Sequence, residues 1–153
     1  MSGNLLDFAR VVTQIGVRMP MAEAAALEQA CQIVEDEAKR VIGTYDYGWT
    51  ELADATKEDR KAKGYPENEP LLRSGDLRDS ISHEVVKSEH AGYVGSPLKI
   101  ALYQEMGTAT IPARSFLGGA AMHKEHEIHA LTGRIVKELI VGTLMGRSLN
   151  LKP

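Results

Sequence analysis

The chain has 153 residues, the length of one ordinary domain, and at that size folding buries roughly 70% of the unfolded chain's surface. Apolar residues are 43% and charged residues 25%, which excludes a disordered or collagen-like chain. The net charge of −3 argues against a nucleic-acid binder held by phosphate contacts, which would be basic. Cys31 is the single cysteine, so no intrachain disulfide forms and a reducing compartment is expected.

Apolar residues at 5, 8, 9, 12, 15 and 19 repeat at helical spacing, and Ser2 or Asn4 offers an N-cap. Pro20 is predicted to end this helix or start the next, because proline suits a first turn and not an interior. A second helix is predicted from about 20 to 42, with the stripe Leu27, Ala30, Val34, Ala38, Val41 and a stop at Gly43. Both helices of region 1–43 are expected to lie on a core. Cys31 falls within the second and reads as a small buried hydrophobe.

Region 44–75 is rich in Gly, Pro, Asn and Asp and reads as one long loop, with a short polar helix inside "TELADATKEDRKAKG". It carries the only tryptophan, Trp49, and Tyr45, Tyr47 and Tyr65. A connection this long is usually functional, and these aromatics are expected to be anchors that order on assembly. Region 76–120 begins with a β-hairpin in which Ile81, His83 and Val85 alternate with Ser80, Ser82 and Glu84. "LKIALYQEMG" follows as a short helix with Leu98, Ala101 and Leu102 inward and Gly107 as its stop. Region 121–145 is predicted to be one helix, with Ile128, Leu131, Ile135 and Leu139 on a face. The tail "GRSLNLKP" is expected to fray. The order specifies a single α+β domain: a small antiparallel sheet packed against long N-terminal helices and a C-terminal helix.

Few residues suggest chemistry. His123, His126 and His129 fall within about 120° of arc on a helix, but the spacing is not that of a zinc signature. A solvated face is the expectation, with a small metal-binding protein as the alternative. "RSGDLRDS" holds Ser74, Asp76 and Asp79 without a nearby general base, and reads as capping around a strand start. No P-loop and no Gly-x-Ser-x-Gly elbow is present. No catalytic residue, cofactor or metal is expected. Arg73, Arg78 and Arg114 instead sit beside glycines, prolines and apolar anchors, where arginine's planar fork suits contacts between chains.

Three stretches carry a resemblance. "LLRSGDLRDSI" (71–81) resembles the opening of the tail-completion proteins of long-tailed bacteriophages. "YQEMGTATIPARSFLGGA" (103–120) resembles that family's next segment, with Glu105, Gly107-Thr108, Pro112-Ala113-Arg114 and Phe116-Leu117 in its pattern. "GWTELADATKEDRKAKG" (48–64) is similar to a stretch of the related Mu-type virion-morphogenesis proteins. Met106 stands where an aromatic is common, and Ser115 where proline is common. The resemblance implies a non-enzymatic virion protein of the neck or tail, assembled in the host bacterial cytoplasm, with a non-virion interaction module from a prophage as an alternative. It implies a homo-oligomer ring, six-fold as a rule, that completes the tail and helps join it to the head. Partners would be the head-closure or connector protein, the tail terminator and the tail tube, with DNA passing the lumen unrecognised and no membrane involved. Gly107–Ile111 would be an adaptable connector, Pro112 would fix its exit, Phe116 and Leu117 would pin it to the core, and Glu105 and Arg114 would reach a neighbouring subunit. Trp49, Arg73, Arg78 and Thr108 complete the expected interface.

Overall fold

Leu5–Val41 is one continuous 37-residue helix, α1, with Pro20 inside it. The expected break at Pro20 does not occur. A computed structural model describes residues 5–149, so the expected cap at Ser2 or Asn4 and the last four residues of the tail lie outside the described residues. An interior proline removes one helical hydrogen bond and crowds the carbonyl four residues back, a cost of about 3 kcal/mol. That carbonyl belongs to Gly16, which faces open space. Ile15 and Ala22, on either side of Pro20, pack on the same apolar cluster, and this shared support keeps both halves in line.

That cluster joins α1 to helix α6, Glu125–Leu144. Leu131, Ile135 and Leu139 are buried on it with Ala22, and Ala26, Ala30 and Ile33 of α1 pack around them. The small α1 side chains let the two helices approach closely. Arg18 Nη1 donates to the Arg147 carbonyl at 2.9 Å, so the end of α6 lies level with Arg18. The tail's first residues are tied down as well: Arg147 N–H donates to Gly142 O at 2.8 Å, and Leu149 packs against the cluster. Ahead of Ile15 the expected core contact is missing. Leu5 is 81% exposed, Phe8 67% and Val12 50%, because α6 ends before it reaches them.

A second cluster gathers Ala38, Val41, Ile42, Leu77, Ile81, Ala101, Phe116 and Ala120. Here α1 stops at Gly43, whose φ of +93° no other residue adopts easily. The chain then passes through α2, Asp54–Ala62, the expected short polar helix. The strand start is preceded by a one-turn helix, α3, Asp76–Asp79, and Ser74 Oγ donates to Asp76 Oδ2 at 2.7 Å.

The sheet is a two-stranded antiparallel hairpin, β1 Ser82–Val86 and β2 Ala91–Gly95, with Ser82 opposite Gly95 and Val86 opposite Ala91. A lone hairpin is marginal in water, and α1 supports this one. His83 in β1 hydrogen-bonds Glu35 at 2.5 Å and Glu28 at 3.2 Å, both on α1. Gly92 in β2 lies so close to Cys31 that an added Cβ would overlap the sulfur. Burial pushes the Cys31 thiol up, and Glu28 and Glu35 add to the shift, so it remains protonated and unreactive.

Helix α4, Lys99–Met106, buries Ala101 but leaves Leu102 62% exposed and Leu98 partly so, against the expected inward face. The predicted C-terminal helix is two: α5, Leu117–His123, and α6, with the bend at Lys124. One straight helix would not place Ala120 in the second cluster and Leu131, Ile135 and Leu139 in the first. The architecture is α+β, six helices and one two-stranded sheet among the described residues.

Candidate functional site

The three stretches with a resemblance meet around one cleft. The segment from α4 to α5 forms one wall, and Glu105 organises it. Its carboxylate accepts from Ser115 Oγ at 2.6 Å and from the backbone N–H groups of Phe116, Leu117 and Gly118 at 2.8, 3.0 and 2.9 Å. These are the N–H groups that the first turn of α5 leaves without helical partners, and a carboxylate at a helix start also meets the positive end of the dipole. Glu105 is therefore an internal cap that ties the end of α4 to the start of α5, rather than a side chain reaching a neighbour.

Gly107–Ile111 is a closed turn. Thr108 N–H donates to Ile111 O at 2.8 Å, and Thr108 Oγ1 accepts from the Ile111 N–H at 3.1 Å. Gly107 has φ +74°, and a Cβ there would sit 2.9 Å from Ala113 N, so only glycine fits. Pro112 follows on the exposed side of the turn, as its expected exit. The expected adaptable connector is thus held by its own hydrogen bonds. Phe116 is fully buried and Leu117 packs beside it, so the pair anchors the loop to the core as expected.

Arg114 does not project toward a neighbour either. It is 5% exposed, its Nη2 donates to Thr50 O at 2.9 Å, and its backbone N–H donates to Gln104 O at 2.6 Å. It joins the 105–117 wall to the loop opposite. Arg60, a residue the sequence reading passed over as part of a polar helix, does the same for the other wall. Its Nη1 donates to the carbonyls of Glu69 at 2.7 Å and Leu72 at 2.9 Å, and it is 8% exposed. Burial, with Arg73 nearby, lowers its pKa, yet an arginine stays charged under ordinary conditions. Between those carbonyls Leu71 takes φ +64°, a left-handed conformation that strains a side chain with a Cβ. The long 44–75 connection is thus folded onto a buried cation. Two extended loops with no secondary structure of their own signal such a staple, but sequence cannot say which arginine provides it.

The loop aromatics are also used within the chain. Tyr45 Oη donates to Asn68 Oδ1 at 2.8 Å. Tyr47 Oη donates to Glu37 Oε1 at 2.9 Å, Trp49 packs edge-on against Tyr47 at 5.5 Å, and His123 stacks flat on Tyr47 at 4.1 Å. Glu37 is the hub beneath them. Arg40 contacts it at 2.7 Å and Lys124 at 4.0 Å. The Arg40 hydrogen bond outweighs burial and holds the Glu37 carboxyl at about 2. The pull of Tyr47 and Glu37 on His123 and Lys124 coincides with the bend between α5 and α6. Arg73 is exposed, 4.8 Å above the Tyr65 ring, and Arg78 is exposed beside Asp79.

The cleft between the walls has a volume of about 770 Å³, within the ~300–1,000 Å³ typical of binding sites. Leu52, Leu71, Leu77, Leu98, Ile100 and Ile111 give it an apolar lining. Two buried polar atoms on it have no partner: Arg114 Nε and Gln104 Oε1. Each such atom costs roughly 1–3 kcal/mol when left unpaired in a dry site.

The three histidines do not converge. His123 is stacked on Tyr47, His126 and His129 are exposed, and no group of three or more His, Cys, Asp or Glu among the described residues is placed to hold a metal ion. Among the described residues no helix is long and apolar enough to cross a membrane. Comparison of the chain with protein-family models, curated proteins and solved structures finds no match.

Proposed function

We propose that the chain is a structural, non-enzymatic subunit of a bacteriophage virion, forming a ring in the neck or tail that completes the tail and helps join it to the head. The observation that carries this reading is the start of α1. From Leu5 to Met21 the helix leaves large apolar side chains uncovered on either side of a polar strip of Asp7, Arg10 and Gln14, with Leu5, Phe8 and Val12 exposed on one side and Leu6, Val17 and Met21 on the other. Exposed apolar side chains grouped in this number mark a surface that another chain covers. The residues ahead of Ile15 extend roughly 15 Å past the intrachain support at 1.5 Å per residue, so burial requires another chain.

A second exposed apolar surface lies on α4, where Ile100, Leu102, Tyr103 and Met106 are uncovered. Seating the α1 start of one copy on the α4 face of the next is a heterologous contact, the kind that closes into rings. The resemblance of residues 71–81 and 103–120 to tail-completion proteins supports the same reading, with six copies as the expected number. On this reading Glu105, Arg114 and Phe116 keep the subunit body rigid. The net charge of −3 gives passing DNA little to adhere to. Head-closure or connector, tail-terminator and tail-tube proteins are the expected neighbours, in a virion assembled in the host cytoplasm.

Light scattering across a concentration series, followed by negative-stain electron microscopy, tests the proposal. The expected result is ring particles with a mass that is a multiple of 16.7 kDa. Combined Leu5→Glu, Phe8→Glu and Val12→Glu substitutions should dissolve the rings without lowering the thermal midpoint of the protomer. A chain that stays monomeric at every concentration and with added tail tubes, and behaves identically with the three substitutions, refutes it.

A further inference from the structure

The β1–β2 hairpin lies on α1 with little apolar burial of its own. No residue of either strand is fully buried, and a two-stranded sheet gains little stability from its own hydrogen bonds. Its base is fixed by buried Ile81 and by the 2.7 Å contact between the Ser80 and Ser96 hydroxyls. Beyond that base the ties to α1 are polar. Near the turn His90 Nδ1 lies 2.8 Å from Glu23 Oε1, an exposed contact worth little in water. In mid-strand His83 meets two carboxylates of α1 at once. Its Nδ1 is 2.5 Å from Glu35 Oε2 and its Nε2 is 3.2 Å from Glu28 Oε1. The Glu35 side chain is 12% exposed and takes Lys39 Nζ at 2.5 Å on its other oxygen, whereas that of Glu28 is 64% exposed.

An imidazolium donates from both ring nitrogens, whereas a neutral imidazole donates from one and presents a lone pair at the other. Carboxylates on both nitrogens are therefore satisfied together only by the charged ring. Removing its proton sets a lone pair against a carboxylate. The shorter, enclosed bond to Glu35 keeps the remaining N–H, and Glu28 turns to water. The charged and titratable groups on the α1 side of the ring are Glu28, Cys31, Glu35 and Lys39. On the hairpin Val94 lies opposite His83, and Glu84 and Tyr93 lie on the exposed face. Gly92 of β2 covers the Cys31 sulfur, and Gly92 and Val94 face Leu27, Ala30 and Val34 of α1 across an apolar groove.

We propose that His83 is a proton-operated latch: its imidazolium clamps the hairpin to α1 through Glu28 and Glu35, and loss of the proton lets β2 lift from α1 and uncover Cys31. The strands hinge on their fixed base, and the groove between β2 and α1 widens as they lift. The Glu35 hydrogen bond, then that of Glu28, raises the His83 pKa above its ordinary value of 6.5. The latch is therefore closed below pH 6.5 and loosens as pH rises through the raised value. It is a property of one chain and does not rest on ring formation.

The test reads Cys31 in the full-length chain. Its alkylation rate with iodoacetamide, divided by that of an unstructured cysteine peptide at the same pH, gives the fraction of time that the hairpin is open. The expected result is a rise of about three- to ten-fold in that fraction with pH, the worth of one partly exposed charge-assisted hydrogen bond. The rise should track the ionisation of the His83 ring, followed by NMR. The rate should not respond to urea below the unfolding transition, because a local opening exposes little surface. His83→Gln should make the open fraction independent of pH. Glu28→Gln, at an exposed position, offers an amide that either accepts or donates, so it should shrink the step and lower the ring's midpoint. A flat fraction in the parent, a step that survives His83→Gln or is unchanged in Glu28→Gln, or labelling that climbs with urea as steeply as global unfolding overturns the proposal.

Discussion

Replacing Glu105 by alanine separates an internal cap from a subunit contact. The carboxylate accepts four hydrogen bonds, one from Ser115 Oγ and three from backbone N–H groups at the start of α5. Loss of an N-cap alone costs about 1 kcal/mol, and hydrogen bonds to a charged group contribute about 1.5–3 kcal/mol each. The four bonds share one side chain and are not additive, and Gly118 is exposed enough for water to replace its share. A loss of about 3 kcal/mol is expected for Glu105→Ala. Glu105→Gln keeps one acceptor oxygen and should lose about half of that. With a urea m value of about 2 kcal/mol per M, the alanine variant's midpoint falls by about 1.5 M. The assay is urea unfolding followed by tryptophan fluorescence, because Trp49 packs against the same core cluster. Hydrogen exchange of residues 116–120 should accelerate in step. A midpoint within about 0.25 M of the parent, equivalent to roughly 0.5 kcal/mol, refutes the capping role and returns Glu105 to the surface contact that its motif position implied.

Arg60→Met should destabilise the protomer by about 2–4 kcal/mol, since three carbonyls lose their donor, and peptide exchange should quicken first in residues 63–73; unchanged exchange there counts against the staple. Phe116→Ala removes a fully buried ring and should cost about 3–5 kcal/mol by urea unfolding, whereas a loss below 1 kcal/mol indicates a site that collapses without a cavity. The Glu35 hydrogen bond, then that of Glu28, raises the pKa of His83 above its ordinary value of 6.5. A raised folded value adds stability that is fully present below pH 6.5 and is lost as pH rises through the folded value, so the parent should lose more stability than His83→Ala across that window in thermal melts; parallel curves contradict the assignment. Glu37 behaves in the opposite sense. Its carboxyl is held at about 2 against an ordinary 4.5, so its contribution is present above 4.5 and fades as pH falls toward 2. At about 1.36 kcal/mol per unit this is at most about 3 kcal/mol, and nearer 2 because Arg40 is half-exposed; Glu37→Gln should flatten the acid limb of the melting curve.

Local periodicity was sufficient for much of the fold. The stripe Leu27–Val41, the hairpin alternation around Ile81–Val85, the stop signals at Gly43 and Gly107 and the face Leu131–Ile135–Leu139 all depend on neighbours within one or two turns, and all appear where the sequence places them. The burial of Phe116 was legible too, because an aromatic beside small residues in a turn has few other uses. Tertiary structure alone decided the rest. Pro20 lies inside a helix because packing of Ile15 and Ala22 on α6 offsets its local penalty. The C-terminal helix bends at Lys124 because two separate clusters on α1 must both be filled. Glu105 and Arg114 turned inward because their partners, the α5 N–H groups and the Thr50 carbonyl, are brought near only when the chain closes. Sequence specifies which groups can donate, accept or pack, whereas the distances that pair them across tens of residues exist only in the folded chain.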